Sequence, residues 1–252
     1  MSIGVDVIPD PDGDPEQVYL ELVGPVRALR IGGVLNARDV GGLVGEYGKV
    51  RTGRLLRSAC LENLTAEGVE TLAGLGVKTV IDLRTPLERE VHPNLVAGLR
   101  EAGEVAEISV ELLKTLAELD ELPAGSPRAM YQYLVDTCGP GIVVVLEHLA
   151  RPDALPALVH CLVGKDRTGL TVALLLELLG VPRDLIVADY VASNAGLGTI
   201  AHTAVQADVL EWTLAGLDER YGGPRGYLAA HGLREETVEA LREAFIDGQD
   251  QP

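Results

Sequence analysis

Apolar residues in this 252-residue chain fall into short continuous runs separated by longer periodic stretches. Val77 to Leu83, Val105 to Val110 and Ala157 to Val159 are short, apolar and bounded by glycine, proline or charge, the pattern of buried strands. Leu29 to Ile31 and Val50 to Arg57, joined through Gly32-Gly33 and a glycine-rich link, predict a hairpin or paired strands. Helical signals stand between and after these runs. Thr65 is a good N-cap for a helix running to Ala73 and closed by Gly74 or Gly76. Thr85-Pro86 places a cap and then proline at the first position of a short helix. Ser126-Pro127 opens a helix through Asp136, which Gly139-Pro140-Gly141 is expected to break before Ile142 to Leu149 resumes. Leu170 to Leu179 is apolar on nearly every side, as in a buried helix. Gly180-Val181-Pro182 stops it, and Arg183 to Asn194 forms the next, closed by Gly196 and Gly198. Thr199 to Tyr221 carries Leu210, Leu214, Leu217 and Tyr221 on one stripe. Gly222-Gly223-Pro224 leads to a short helix ending at Ala230, and Thr237 to Ile246 is a last amphipathic helix.

Strands alternating with helices predict an α/β fold: one domain with a mainly parallel central sheet flanked by helices. Its expected span is 18–247. Residues 1–17 are acidic and proline-rich, the composition of a flexible tail. Within the domain, 199–221 admits two readings, a helical lid over a pocket or an ordinary packing helix.

Composition narrows the function. Twenty-one basic against 38 acidic residues give a net charge of −17, which disfavours nucleic acid and anionic membranes as partners. Met1 to Gln17 has neither a basic nor an apolar region of signal-peptide type, and no uninterrupted apolar run reaches membrane-spanning length. The expected location is cytoplasmic, with no transmembrane anchor. The three cysteines, Cys60, Cys138 and Cys161, have no metal-ligand spacing and fit a reducing compartment. Neither a metal nor an organic cofactor is expected. Oligomeric state has no signal in the sequence.

The strand at Ala157–Val159 and the helix from Leu170 enclose His160-Cys161-Leu162-Val163-Gly164-Lys165-Asp166-Arg167-Thr168-Gly169. A loop at a helix N-terminus presents unpaired N–H groups and the positive end of the helix dipole, which together bind a dianion such as phosphate. The same environment favours a thiolate over a thiol. Arg167 adds a planar fork for two phosphate oxygens, and Gly164 lets the backbone turn inward. Only four lysines occur in the chain, and Lys165 is one of them. A nucleophilic cysteine, a nest of amides and an arginine are the parts of a phosphate-monoester hydrolase.

Cys-x5-Arg-Thr preceded by His resembles the signature loop of the protein tyrosine phosphatase superfamily. The fuller HCLVGKDRTG, with Asn36 to Gly42, Leu56 to Ala59, Asp82 to Arg84 and Asp189-Tyr190 to Ser193-Asn194, resembles a bacterial branch with tyrosine and lipid phosphatase members. The resemblance spans roughly residues 30 to 245. It implies attack by Cys161 on phosphorus. The amides of Leu162, Val163, Gly164 and Lys165 through Arg167, with the Arg167 guanidinium, hold the equatorial oxygens. It also implies a hydroxyl from Thr168 to the sulfur, an orienting role for His160, and a pocket bordered by Arg38, Asp39, Asp82 and Arg84.

Each assignment has a plainer competitor. Asp39 caps turn amides equally well, Asp82 and Arg84 form a simple ion pair, and His160 is only a buried histidine. The superfamily's Trp-Pro-Asp acid loop is absent: the one tryptophan, Trp212, precedes Thr213. Asp166, beside the bound dianion, is the candidate general acid, or else braces Lys165 or Arg167. Glu118, Asp120, Glu121 and Asp136 read as solvated charges. The expected substrate is phosphotyrosine in proteins, with phosphoserine, phosphothreonine and phosphoinositides as further classes and inorganic phosphate or other oxyanions as ligands. Two other functions fit the loop less well: a silent phosphate-binding module and a sulfurtransferase.

Overall fold

The structure is a computed structural model, described here for residues 23–24, 27–103, 105–113, 126–197 and 204–247. The tail at 1–17, Glu118, Asp120 and Glu121, and the start of the stretch at 199–221 lie outside these residues.

A five-stranded sheet organises the domain: β1 (Arg38–Asp39), β4 (Leu55–Ser58), β5 (Thr79–Asp82), β6 (Ala106–Ser109) and β7 (Ala157–His160). Spatial order is β1-β4-β7-β5-β6, with β1 antiparallel at one edge and the rest parallel. β2 (Val44–Gly45) and β3 (Gly48–Lys49) make a separate small hairpin. The fold is therefore the mixed α/β architecture the alternation predicts, but the paired strands of its first third are differently placed. Arg38 and Asp39, expected in a link, form β1 opposite Arg57 and Leu56.

β7 lies at the centre, buried along its length, with Ser58 of β4 and Asp82 of β5 aligned on either side of His160. The three strands thus end together, at the carboxyl edge where open parallel sheets bind ligands. β7 leads through the His160–Lys165 loop into α5 (Asp166–Leu178), in which every residue but Asp166 and Glu177 is buried.

The other helices among the described residues are α1 (Ala66–Gly74), α2 (Pro86–Val91), α3 (Ala97–Ala102), α4 (Pro127–Leu149), α6 (Arg183–Leu197), α7 (Ala207–Tyr221), α8 (Pro224–Ala230) and α9 (Glu235–Phe245). Thr65 caps α1 as expected, its hydroxyl accepting from Gly68 N.

Two expectations need correction. Gly139-Pro140-Gly141 does not break a helix, because α4 runs through it for 23 residues. The glycines there serve packing. A Cβ on Gly139 would sit 2.3 Å from the His231 ring, and one on Gly141 2.6 Å from Leu112. Close packing on both sides holds the helix together across the bond that Pro140 cannot make. By length and composition alone α4 is apolar enough to cross a membrane, yet Tyr131, Leu134, Cys138, Ile142, Val145, Leu146 and Leu149 belong to the core. The described part of 199–221 packs on the domain. Its helix begins at Ala207, and Leu210, Leu214 and Leu217 are buried in the same core. Gly196 lies within α6 and does not close it.

Candidate active site

Cys161 directly follows β7 and is buried at the floor of the loop. Gly164 turns the chain back with φ +67°, and a Cβ there would lie 2.1 Å from the Ser58 carbonyl oxygen. Only glycine fits. The N–H groups of Leu162, Val163, Gly164, Asp166 and Arg167 have no backbone acceptor among the described residues, and no side chain caps the N-terminus of α5. N–H groups without backbone acceptors at the positive end of a buried helix are suited to receive an oxyanion.

The loop is held from behind by a buried polar scaffold. Asn36 Nδ2 donates to the carbonyls of Val163 and Gly164, both at 3.1 Å. Asn36 itself is left-handed at φ +55°, a conformation asparagine tolerates. Arg57 Nη2 donates to Gly164 O at 2.9 Å and Nη1 to Asp189 at 2.7 Å. Asp189 also receives Arg27 and Arg38, and Arg38 passes on to Asn36 Oδ1 at 2.6 Å. Burial alone would raise the Asp189 pKa, but Arg38, Arg57 and Arg27 outweigh it and hold the carboxyl well below the usual range. One carboxylate on α6 therefore fixes three arginines, two of which reach the loop directly or through Asn36.

His160 shows how the strand end is tied down. Its Nδ1 lies 2.9 Å from Cys161 O, and its Nε2 lies 3.1 Å from Asn94 Nδ2. Burial lowers its pKa, so the neutral ring donates from Nδ1 and accepts at Nε2. His160 thus ties down the backbone at Cys161.

Arg167 reaches from α5 to Glu88 on α2, a two-point pair at 2.7 and 2.6 Å. Glu88 also accepts from Thr85 N at 2.8 Å while Thr85 Oγ1 accepts from Glu88 N, a capping box. Burial would raise Glu88, but Arg167 outweighs it and lowers its pKa. Glu88 thus fixes the plane of the guanidinium, a role sequence reading missed: the Thr-x-x-Glu spacing marks a helix start and carries no hint of Arg167. Asp166 is partly exposed and ion-paired with Lys165 at 3.7 Å. Burial is the largest influence on it and raises its pKa, against the pull of Lys165, Tyr131 and Arg167.

Several predicted site residues take other places. Arg38 and Asp39 are buried in β1; Asp39 accepts from Gly41 N and Gly53 N, so it caps turn amides. Arg84 is wholly buried, forked onto Asp82 with further bonds to Asn94 and the His92 carbonyl. Internal partners hold all four, which makes them braces of the site rather than its lining. Thr168 Oγ1 is buried without a hydrogen-bond partner among the described residues. The other two cysteines are poor nucleophiles, since burial pushes the thiols of Cys60 and Cys138 each up to about 11.

The chain matches the model of the tyrosine phosphatase family over residues 29–247. It is 30% identical over 213 residues to a tyrosine-protein phosphatase of Nostoc commune, covering 74% of this chain and 72% of that protein. It is 30% identical over 271 residues to the triple specificity protein phosphatase PtpB of Mycobacterium tuberculosis, covering 85% and 97%. Among solved structures, P. aeruginosa TpbA superposes with a TM-score of 0.47 at 21% identity, over 82% of this chain and 98% of that one. Since the family match takes in the sheet, the cysteine loop, Arg38 and Arg57 alike, the chain belongs to the tyrosine phosphatase family and is a phosphatase.

Proposed function

We propose that the protein hydrolyses phosphate monoesters through a phosphocysteine on Cys161, with phosphotyrosine in proteins as the principal substrate. The observation that carries this reading is the receptor itself: a cysteine beneath unpartnered N–H groups at the start of α5, with Arg167 oriented beside it by Glu88. In the first step the Cys161 thiolate attacks phosphorus in line and the P–O bond to the leaving group breaks. Negative charge on the three equatorial oxygens is met by the loop amides and Arg167, which are fixed before the substrate arrives. Lys165, at the same loop, adds positive charge. Asp166 gives its proton to the departing oxygen, and its raised pKa supports a protonated form nearer neutral pH. In the second step water attacks phosphorus, Asp166 takes its proton, and the P–S bond breaks to return thiolate and inorganic phosphate. The Thr168 hydroxyl, otherwise unpartnered, is the donor left for the sulfur as it departs.

The M. tuberculosis relative is named for three specificities, and that likeness supports a wider range that takes in phosphoserine, phosphothreonine and phosphoinositides. A panel of phosphotyrosine, phosphoserine and phosphothreonine peptides and phosphoinositides, run on wild type and Cys161→Ser, tests both parts. Phosphotyrosine turnover that vanishes in Cys161→Ser, with vanadate binding kept by the intact loop, is the expected result. Turnover retained by that variant within about tenfold contradicts the mechanism.

A further inference from the structure

Asp166 is touched from a direction the loop does not supply. Tyr131, a buried residue of α4, donates its hydroxyl to Asp166 Oδ1 at 3.2 Å. Tyr190, buried on α6, donates to the Tyr131 hydroxyl oxygen at 2.6 Å, and the two rings meet edge to face with centroids 6.0 Å apart. A second feature secures the chain. Tyr190 lies against Gly169 of α5, where a Cβ would come within 3.0 Å of its ring. Tyr190 also follows Asp189, the carboxylate that holds the arginines behind the loop. Three helices thus contribute one link each to a line of hydroxyls that ends on a single carboxyl oxygen.

We propose that Tyr131 is the positioning residue for the general acid. Its hydroxyl occupies Oδ1 of Asp166, so that Oδ2, the oxygen facing Lys165, carries the proton to the leaving group. Tyr190 orients the Tyr131 hydroxyl and, by donating to it, strengthens its donation to Asp166. This inference rests on the reading of Asp166 as the acid. A carboxyl free to rotate presents either oxygen and spends much of its time misaligned. One held at Oδ1 keeps the transferring proton in one place, which is where proximity and orientation enter the rate. Burial of both phenols fits this role, since it raises the pKa of each and keeps them as neutral donors.

The groups facing Asp166 are Lys165 and Arg167 from the loop and α5, Tyr131 from α4 and, through it, Tyr190 from α6. Lys165, Arg167 and the Tyr131 hydroxyl favour the carboxylate. Removing the hydroxyl weakens that preference, so the pH above which Asp166 is deprotonated moves up.

The test is the pH dependence of kcat for phenyl phosphate, whose leaving group needs a proton, set beside p-nitrophenyl phosphate, whose leaving group does not. Tyr131→Phe is expected to shift the basic limb for phenyl phosphate upward by about half a unit to one unit. Its kcat for that ester is expected to fall about tenfold, with p-nitrophenyl phosphate within about twofold of wild type. Tyr190→Phe is expected to do the same more weakly, and it keeps the question open to test should Tyr131→Phe not fold. A folded Tyr131→Phe whose basic limb does not move, or which loses both substrates equally, overturns the positioning role. Asp166→Asn separates the two claims. If it abolishes the limb while Tyr131→Phe leaves it in place, Asp166 is the acid and Tyr131 is only structural. If the limb survives in Asp166→Asn, the acid lies elsewhere and both claims fail.

Discussion

Replacing Gly164 by alanine tests the loop with one methyl group. The new Cβ would stand 2.1 Å from the Ser58 carbonyl oxygen, where ordinary contact begins at 3.4 Å, so one backbone must give way by about 1.3 Å. Neither is free to do so. Ser58 is in register with His160 in the sheet, and the Gly164 carbonyl is held by Asn36 and Arg57. Displacement therefore falls on the loop that positions Cys161 and the amides. A misplacement of about 1 Å at a reacting centre costs on the order of 10² in rate, and the left-handed φ of +67° adds about 1 to 2 kcal/mol of strain for a residue with a Cβ. The expected outcome is a fall of about 10² in kcat/KM for p-nitrophenyl phosphate, together with a Tm lowered by about 2–8 °C. Gly76→Ala is the control. It has a similar φ of +68° but nothing within 4 Å, so it should lower Tm by a similar strain contribution and leave kcat/KM unchanged. Gly164→Ala with turnover within about threefold of wild type would refute the reasoning, because the loop would then tolerate the displacement.

Other consequences follow from the bracing groups. Glu88→Gln keeps the shape but removes the charge that orients Arg167, and it is expected to lower kcat/KM about tenfold and weaken vanadate binding, read by titration. Asp189→Asn leaves Arg27, Arg38 and Arg57 without their shared carboxylate; urea denaturation is expected to show a loss of about 3–5 kcal/mol. Asp82, Glu88 and Asp189 all have lowered pKa values in the fold. Their stabilisation is present above the ordinary carboxylate range and is lost as pH falls through their lowered values. Asp39 and Asp166, with raised values, act in the opposite sense. Urea midpoints measured from about pH 6 to about pH 3 should therefore fall, and fall less steeply in Asp189→Asn.

The catalytic loop was legible in the sequence because its chemistry is contiguous: strand, cysteine, turn glycine, arginine and helix occupy neighbouring positions. The alternation of strands and helices likewise specified a parallel sheet. What escaped is non-local. Arg167 and Glu88 are 79 residues apart, and Arg57 and Asp189 are 132 apart; no local pattern joins them. Arg38, Asp39, Asp82 and Arg84 stood out as charged residues near a ligand edge, and only burial with internal partners distinguishes a brace from a wall. Gly139-Pro140-Gly141 misled for the opposite reason. Glycine signals both a helix end and a close approach, and here His231 and Leu112 occupy the space a side chain would fill.

The central claim is a covalent phosphoryl group on Cys161. Rapid acid quench during turnover of p-nitrophenyl phosphate, followed by peptide mass spectrometry, tests it most directly. The account predicts one phosphoryl group on the peptide containing Cys161, accumulating further in Asp166→Asn as hydrolysis of the intermediate slows, and none in Cys161→Ser. Steady turnover with no phosphorylated cysteine at any quench time, or with the phosphoryl group on another residue, would contradict it.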